Sequence, residues 1–199
     1  MIELFTRPRG FFRNLQAHDP DWRKGLGLCA ALGVVVFSGS VLMAREFDNQ
    51  LSLPVQLVVG ALLGAGLGFV LWLGLGAAIL VLAGWEAKGW ELAGWVCAPA
   101  LAIMGVWGML ALLLPIPDSL PPRPPATDVS GLEAWLRLYQ AAVQSAPIHR
   151  VMQVCVALCL PPMLWVLYGG LQAHAPHRAL PTTAAIGAVA LTVLIGWLT

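Results

Sequence analysis

Charge is what this sequence has least of. Only 11% of its 199 residues are Asp, Glu, Lys or Arg, against about 25% in a soluble globular domain. With 59% apolar residues the chain has too little polar surface to cover a water-facing fold. That excludes a soluble enzyme, a DNA-binding domain and a disordered scaffold. The formal net charge is +1, so there is no basic field for nucleic acid, and no nucleic-acid partner is expected. Lysine is nearly missing, with nine Arg against two Lys, and the dominance of Ala, Leu, Gly and Pro points to a GC-rich bacterial genome. The few cysteines, Cys29, Cys97, Cys155 and Cys159, lie in apolar runs rather than in loops. They are read as reduced thiols.

Long apolar runs are what the chain does have. Five stretches reach the ~20 residues that a helix needs to cross a ~30 Å hydrocarbon layer. They run over about 25–44, 55–83, 96–114, 151–171 and 180–198, and none contains Asp, Glu, Lys, Arg or His. Barrel strands would alternate over ~10 residues, so the expected fold is all-α: an integral membrane bundle of five transmembrane helices. The first run starts too far from Met1 for a removed signal peptide, and it has no small-residue cleavage site. The second run is longer than it needs to be and must tilt, break at its many glycines, or extend beyond the lipid.

Orientation follows from the cations in the connections. Arg7, Arg9, Arg13, Arg23, Lys24, Lys88 and Arg178 fall on one side, and Arg45, Arg123, Arg137 and Arg150 on the other. This places the N-terminus in the cytoplasm and the C-terminus outside, in the inner (cytoplasmic) membrane. Trp22, Trp85, Trp90, Trp95 and Trp197 stand at the ends of the runs, where indoles prefer the headgroup layer. Trp72, Trp107 and Trp165 stand inside them and are read as packing residues.

Two segments outside the runs carry amphipathic patterns. In residues 1–24, Leu4, Phe5, Phe11, Phe12 and Leu15 interleave with Arg7, Arg9 and Arg13, and Pro8 suits the first turn of a helix. An interfacial helix on the inner leaflet is expected, with its guanidinium groups among lipid phosphates. A plain topology signal and a docking site for anionic lipid or a partner, using Arg7, Arg9, Phe11, Phe12, Arg13 and Lys24, both fit that pattern. Residues 115–150 form the outer loop. They open with Pro115, Pro117, Pro121, Pro122, Pro124 and Pro125, then continue as an amphipathic helix with Leu132, Trp135, Leu136, Tyr139, Ala142 and Val143 on one face. Ser130 and Glu133 read as its capping box.

Chemistry is hard to place. The runs supply no nucleophile with a base, no carboxylate pair and no ion-coupling group. Cys155 and Cys159 share a helix face, as His174 and His177 would if that segment were helical. Neither pair has further ligands nearby, so no metal or cofactor is expected. Gly60, Gly64 and Gly68 recur every four residues, a packing face that lets helices approach closely, within one chain or between subunits. Ser38, Ser40, Gln56 and Gln153 are the polar residues available to line a groove.

Thr6-Arg7-Pro8-Arg9-Gly10-Phe11-Phe12-Arg13, together with Gly89-Trp90-Glu91 and Gly94-Trp95-Val96-Cys97-Ala98-Pro99, resembles the Yip1 family of five-span membrane proteins. The first segment looks like the basic, Phe-containing lead of bacterial members. The second resembles the family's Gly, aromatic, three residues, then Pro at the start of the third span. The resemblance implies five spans with the N-terminus inside. Trp95 stands where the family has Tyr, and the long cytosolic N-terminal region of eukaryotic members, with its acidic-Leu-Tyr-Gly-Pro type motif, is absent, so their Rab GTPase binding is not carried over. Gly94 and Pro99 are read as packing residues, Pro99 making a kink early in its helix.

The expected function is that of a non-enzymatic multi-pass membrane protein that binds membrane lipids, another membrane protein or its own copies. The alternative is a passive carrier or scramblase moving lipid or a small solute along an interhelical groove. A membrane enzyme built on Glu86, Glu91 and His174 is the third reading.

Overall fold

Hydrocarbon offers no hydrogen-bond partner, so each crossing segment must satisfy its own backbone. In a computed structural model of the protein every regular element among the described residues is an α-helix: α1 (Ile2–Thr6), α2 (Pro8–Leu15), α3 (Trp22–Met43), α4 (Leu53–Ala83), α5 (Lys88–Leu113), α6 (Val129–Ser145), α7 (Pro147–His174) and α8 (Pro176–Leu198). The structure describes residues 2–15, 19–43, 52–84, 88–113, 124–125 and 127–198. Helices α3, α4, α5, α7 and α8 are each long and apolar enough to cross a bilayer. By length and composition the chain is a multi-pass membrane protein, with the all-α fold expected. The end that carries α1, the start of α3 and the α7–α8 junction is called the near end below.

The glycine-rich second run does not break. Helix α4 is continuous over 31 residues, about 46 Å at 1.5 Å per residue. Tilt or overhang must absorb the excess. Its end is set by Gly84, whose positive φ of 64° lets its N–H return to the Leu80 carbonyl at 3.0 Å. Helix α5 starts at Lys88 rather than near Val96, which places Pro99 well inside it and fully buried instead of in its opening turns.

Helix α5 is the most buried of the crossing helices and packs on α3, α4 and α7, and α3 packs along both α4 and α5. The row Gly60, Gly64, Gly68 faces α3 inside this one chain: Gly64 lies on the Gly33 carbonyl, Gly68 on that of Cys29 and Gly60 on the Val41 side chain. Gly94 meets Gly25, which also leans on the Trp90 carbonyl, and Gly39 gives way to the buried Trp107 ring. In lipid, where burial of apolar surface drives nothing, such backbone-to-backbone contact is what holds helices together. Trp72 then ties α4 to α5, its Nε1–H donating to the Trp90 carbonyl at 2.8 Å while the two rings lie 4.8 Å apart.

All four cysteines are free and buried. Cys29 on α3 and Cys97 on α5 bring their sulfurs within 3.4 Å. Copper–phenanthroline treatment of the protein in micelles is therefore expected to link Cys29 to Cys97, read by peptide mass mapping. An oxidised sample lacking that peptide pair contradicts the α3–α5 register.

Helix α6 packs on α7 and is capped two residues earlier than its Ser–Glu spacing indicates. Oδ1 of Asp128 accepts the Gly131 N–H at 2.9 Å and the Ser130 hydroxyl at 3.0 Å. These donors hold the Asp128 carboxyl below the usual carboxylate range. Trp135 is buried and stacks on Tyr139 at 5.4 Å, and Ala142 and Val143 turn toward the core.

Candidate functional site

The N-terminal arm is the most distinctive feature of the near end. The Arg7 N–H bonds the Glu3 carbonyl at 2.8 Å and the Phe11 N–H bonds that of Arg7 at 3.1 Å, so α1 and α2 follow each other almost without a break. Leu4, Pro8 and Phe12, four residues apart, make one buried edge. That edge lies on α7 where two adjacent glycines leave room: a β-carbon at Gly169 would come within 2.5 Å of the Pro8 ring, and one at Gly170 within 3.2 Å of Phe12. The Trp165 Nε1–H fastens the arm by donating to the Phe5 carbonyl at 3.1 Å.

This docking divides the expected contact residues. Phe12 is only 2% exposed and is committed to the bundle, with no surface left for lipid or a partner. Phe11 is half-buried and meets the edge of Trp95 at 5.1 Å. Arg7, Arg9 and Arg13 are exposed on the arm. Lys24 belongs to the first turn of α3 and pairs at 3.6 Å with Asp21, an exposed pair of little energetic weight.

Beneath the arm sits Glu91, 6% exposed and the only buried carboxylate among the described residues. Its Oε2 accepts the Asp21 N–H at 3.1 Å and its Oε1 the Trp95 Nε1–H at 3.4 Å. It therefore stands at the N-terminal ends of two helices, in the first turn of α5 and against the residue preceding α3. Both macrodipoles point their positive ends at it. Those partners describe a structural clamp. Glu86 and Trp85 lie outside the described residues, as do the Trp197 side chain and most of the proline-rich stretch. Among the described residues no three His, Cys, Asp or Glu side chains converge on a metal-sized site.

No family model, curated protein or solved structure matches this chain. Its chemistry has to be read from its own residues. Of the candidate groove residues, Ser40 turns its hydroxyl back to the Val36 carbonyl at 2.9 Å, the local bond a serine makes in a helix. Trp165, read from sequence as a packing residue, is half-exposed and acts as a tether. The Gly169-Gly170 pair that seats the arm had a legible signal, two adjacent glycines near the end of an apolar run, which the four-residue spacing rule does not register.

Proposed function

We propose that this chain is a Yip1-like, non-enzymatic multi-pass protein of the bacterial inner membrane, N-terminus in the cytoplasm and C-terminus outside, that binds anionic lipid or a membrane-protein partner through its N-terminal arm. The observation that carries the reading is the arm's division of labour. Leu4, Pro8 and Phe12 seat it on α7, and Arg7, Arg9 and Arg13 stay exposed. A fixed arm presents its guanidinium groups without first having to order them, and guanidinium is the side chain best shaped for phosphate. Lipid is the preferred ligand, because each cation near an anionic leaflet contributes about 1 kcal/mol.

The test is the triple variant Arg7→Gln, Arg9→Gln, Arg13→Gln in purified full-length protein. Binding of phosphatidylglycerol over phosphatidylcholine is measured in micelles at low and high salt. The wild type is expected to prefer the anionic lipid, and the variant to bind it ~100-fold more weakly, with less salt dependence. Equal preference in both proteins rejects the lipid reading and leaves the arginines as orientation signals.

A further inference from the structure

We infer that the bundle holds one hydrocarbon chain of a membrane phospholipid in an apolar cleft between α4 and α7. Both helices pack on α5 and leave space above it. One cavity of about 430 Å³ extends toward α3, past Gly33, Phe37 and Leu67. A second of about 380 Å³ extends toward α8, past Ile186, Ala190 and Leu194. Leu71, Val156 and Cys159 line both, so the two adjoin along α7.

The chemistry of the walls selects the occupant. They are aliphatic, aromatic and thioether side chains with glycine and a thiol, and water needs two to four polar partners to stay in such a space. Left empty, a void this large would forfeit the dispersion contacts of every residue around it. The cleft opens sideways, with Leu71 exposed at its rim and Val193 67% exposed. What lies beyond that rim in a membrane is hydrocarbon.

A single acyl chain fits: the lining runs on α7 from Met152 to Leu167, about 22 Å of helix rise, against ~15 Å for one leaflet's half of the hydrocarbon layer. Met104, Met152 and Met163, three of the chain's six methionines, line it. Their unbranched, polarizable side chains adapt to a mobile neighbour. The inference is independent of the arginine arm, which lies at the near end, and the two are tested by different substitutions.

Native mass spectrometry of the full-length protein released from mild detergent reads the occupant directly. The wild type is expected to carry one phospholipid. Ala190→Trp, which fills the cleft, should lower that fraction at least ~10-fold, and Val189→Trp, its outward-facing neighbour on α8, should leave it unchanged. Equal retention in both variants overturns the proposal, as does a lipid-free wild type or one that appears only as a two-chain species. A phospholipid with a mid-chain diazirine, photolysed with the unmodified protein in bilayers, covers the case in which Ala190→Trp does not fold. Adducts on the half-buried lining residues Val156 and Met163 support the cleft, and adducts confined to outward residues such as Leu158 and Val189 overturn it.

Discussion

Replacing Gly64 by leucine is expected to disassemble the bundle, and replacing Gly66 by leucine, only two residues away, to leave it intact. A β-carbon at Gly64 would overlap the Gly33 carbonyl and come within 2.9 Å of the Val34 Cα. Both are backbone atoms, which cannot rotate aside as a flexible side chain can. Helix α3 would have to withdraw along α4, taking with it the Gly68–Cys29 contact one turn on. It cannot withdraw freely, because Gly25 and Gly39 hold its other side against Gly94 and Trp107 of α5. Overpacking commonly costs 1–3 kcal/mol where side chains can adjust, and here about 3 kcal/mol or more is expected. At Gly66 nothing lies within 4 Å, and leucine is the better helix former. Unfolding in SDS titration, with size-exclusion profiles in mild detergent, distinguishes the pair. Similar midpoints for the two variants would contradict the internal packing of this row.

The five crossings were legible because a membrane asks one simple question of a sequence: which ~20-residue stretches can lie in oil. All five expected runs fall within or nearly coincide with described helices, and the glycine spacing correctly marks a contact face on α4. Hydropathy cannot tell where a helix goes on past the lipid. It set the start of the third run at Val96, since Lys88 and Glu91 look like solvent-facing charges. Glu91 is instead buried and hydrogen-bonded in the first turn of α5. Nor does a row of glycines name its partner. Gly25, Gly33 and Gly39 on α3, spaced eight and six apart, follow no four-residue rule, although they provide the surface against which α4 and α5 close.

The arm shows the same division between pattern and partner. Its amphipathic spacing was plain, and lipid was the expected surface for its apolar edge. The edge instead faces α7, because Gly169 and Gly170 leave a shallow seat there and Trp165 supplies a donor for a carbonyl that the start of the arm leaves open. Amphipathicity says that an apolar face will be covered, and not by what. The arginines, outside that seat, stay as the sequence pattern indicates. The cleft had no signature at all, since its walls are the same leucines, valines and methionines that face lipid elsewhere.

Glu91→Leu is expected to loosen the near end of the bundle by about 2–4 kcal/mol, summing two orphaned donors and a lost helix-end charge. Leucine removes the acceptor for the Asp21 N–H and for the Trp95 indole at once, and little water reaches a site 6% exposed to replace it. Glu91→Gln keeps an acceptor oxygen but gives up the negative charge at the start of α3 and α5, so a loss of about 1 kcal/mol is expected. Trp95→Phe removes one donor, so the cost of Glu91→Leu should be smaller in that background than in the wild type. Thermal unfolding of the wild type and the four variants in one detergent measures all of this. Phe11 reports the consequence for the arm: its ring leans on Trp95, and a loosened Trp95 should raise proteolysis within residues 2–15 before the crossing helices melt. A Glu91→Leu protein with the wild-type midpoint and an intact arm would contradict the clamp and leave the buried carboxylate available for chemistry rather than structure.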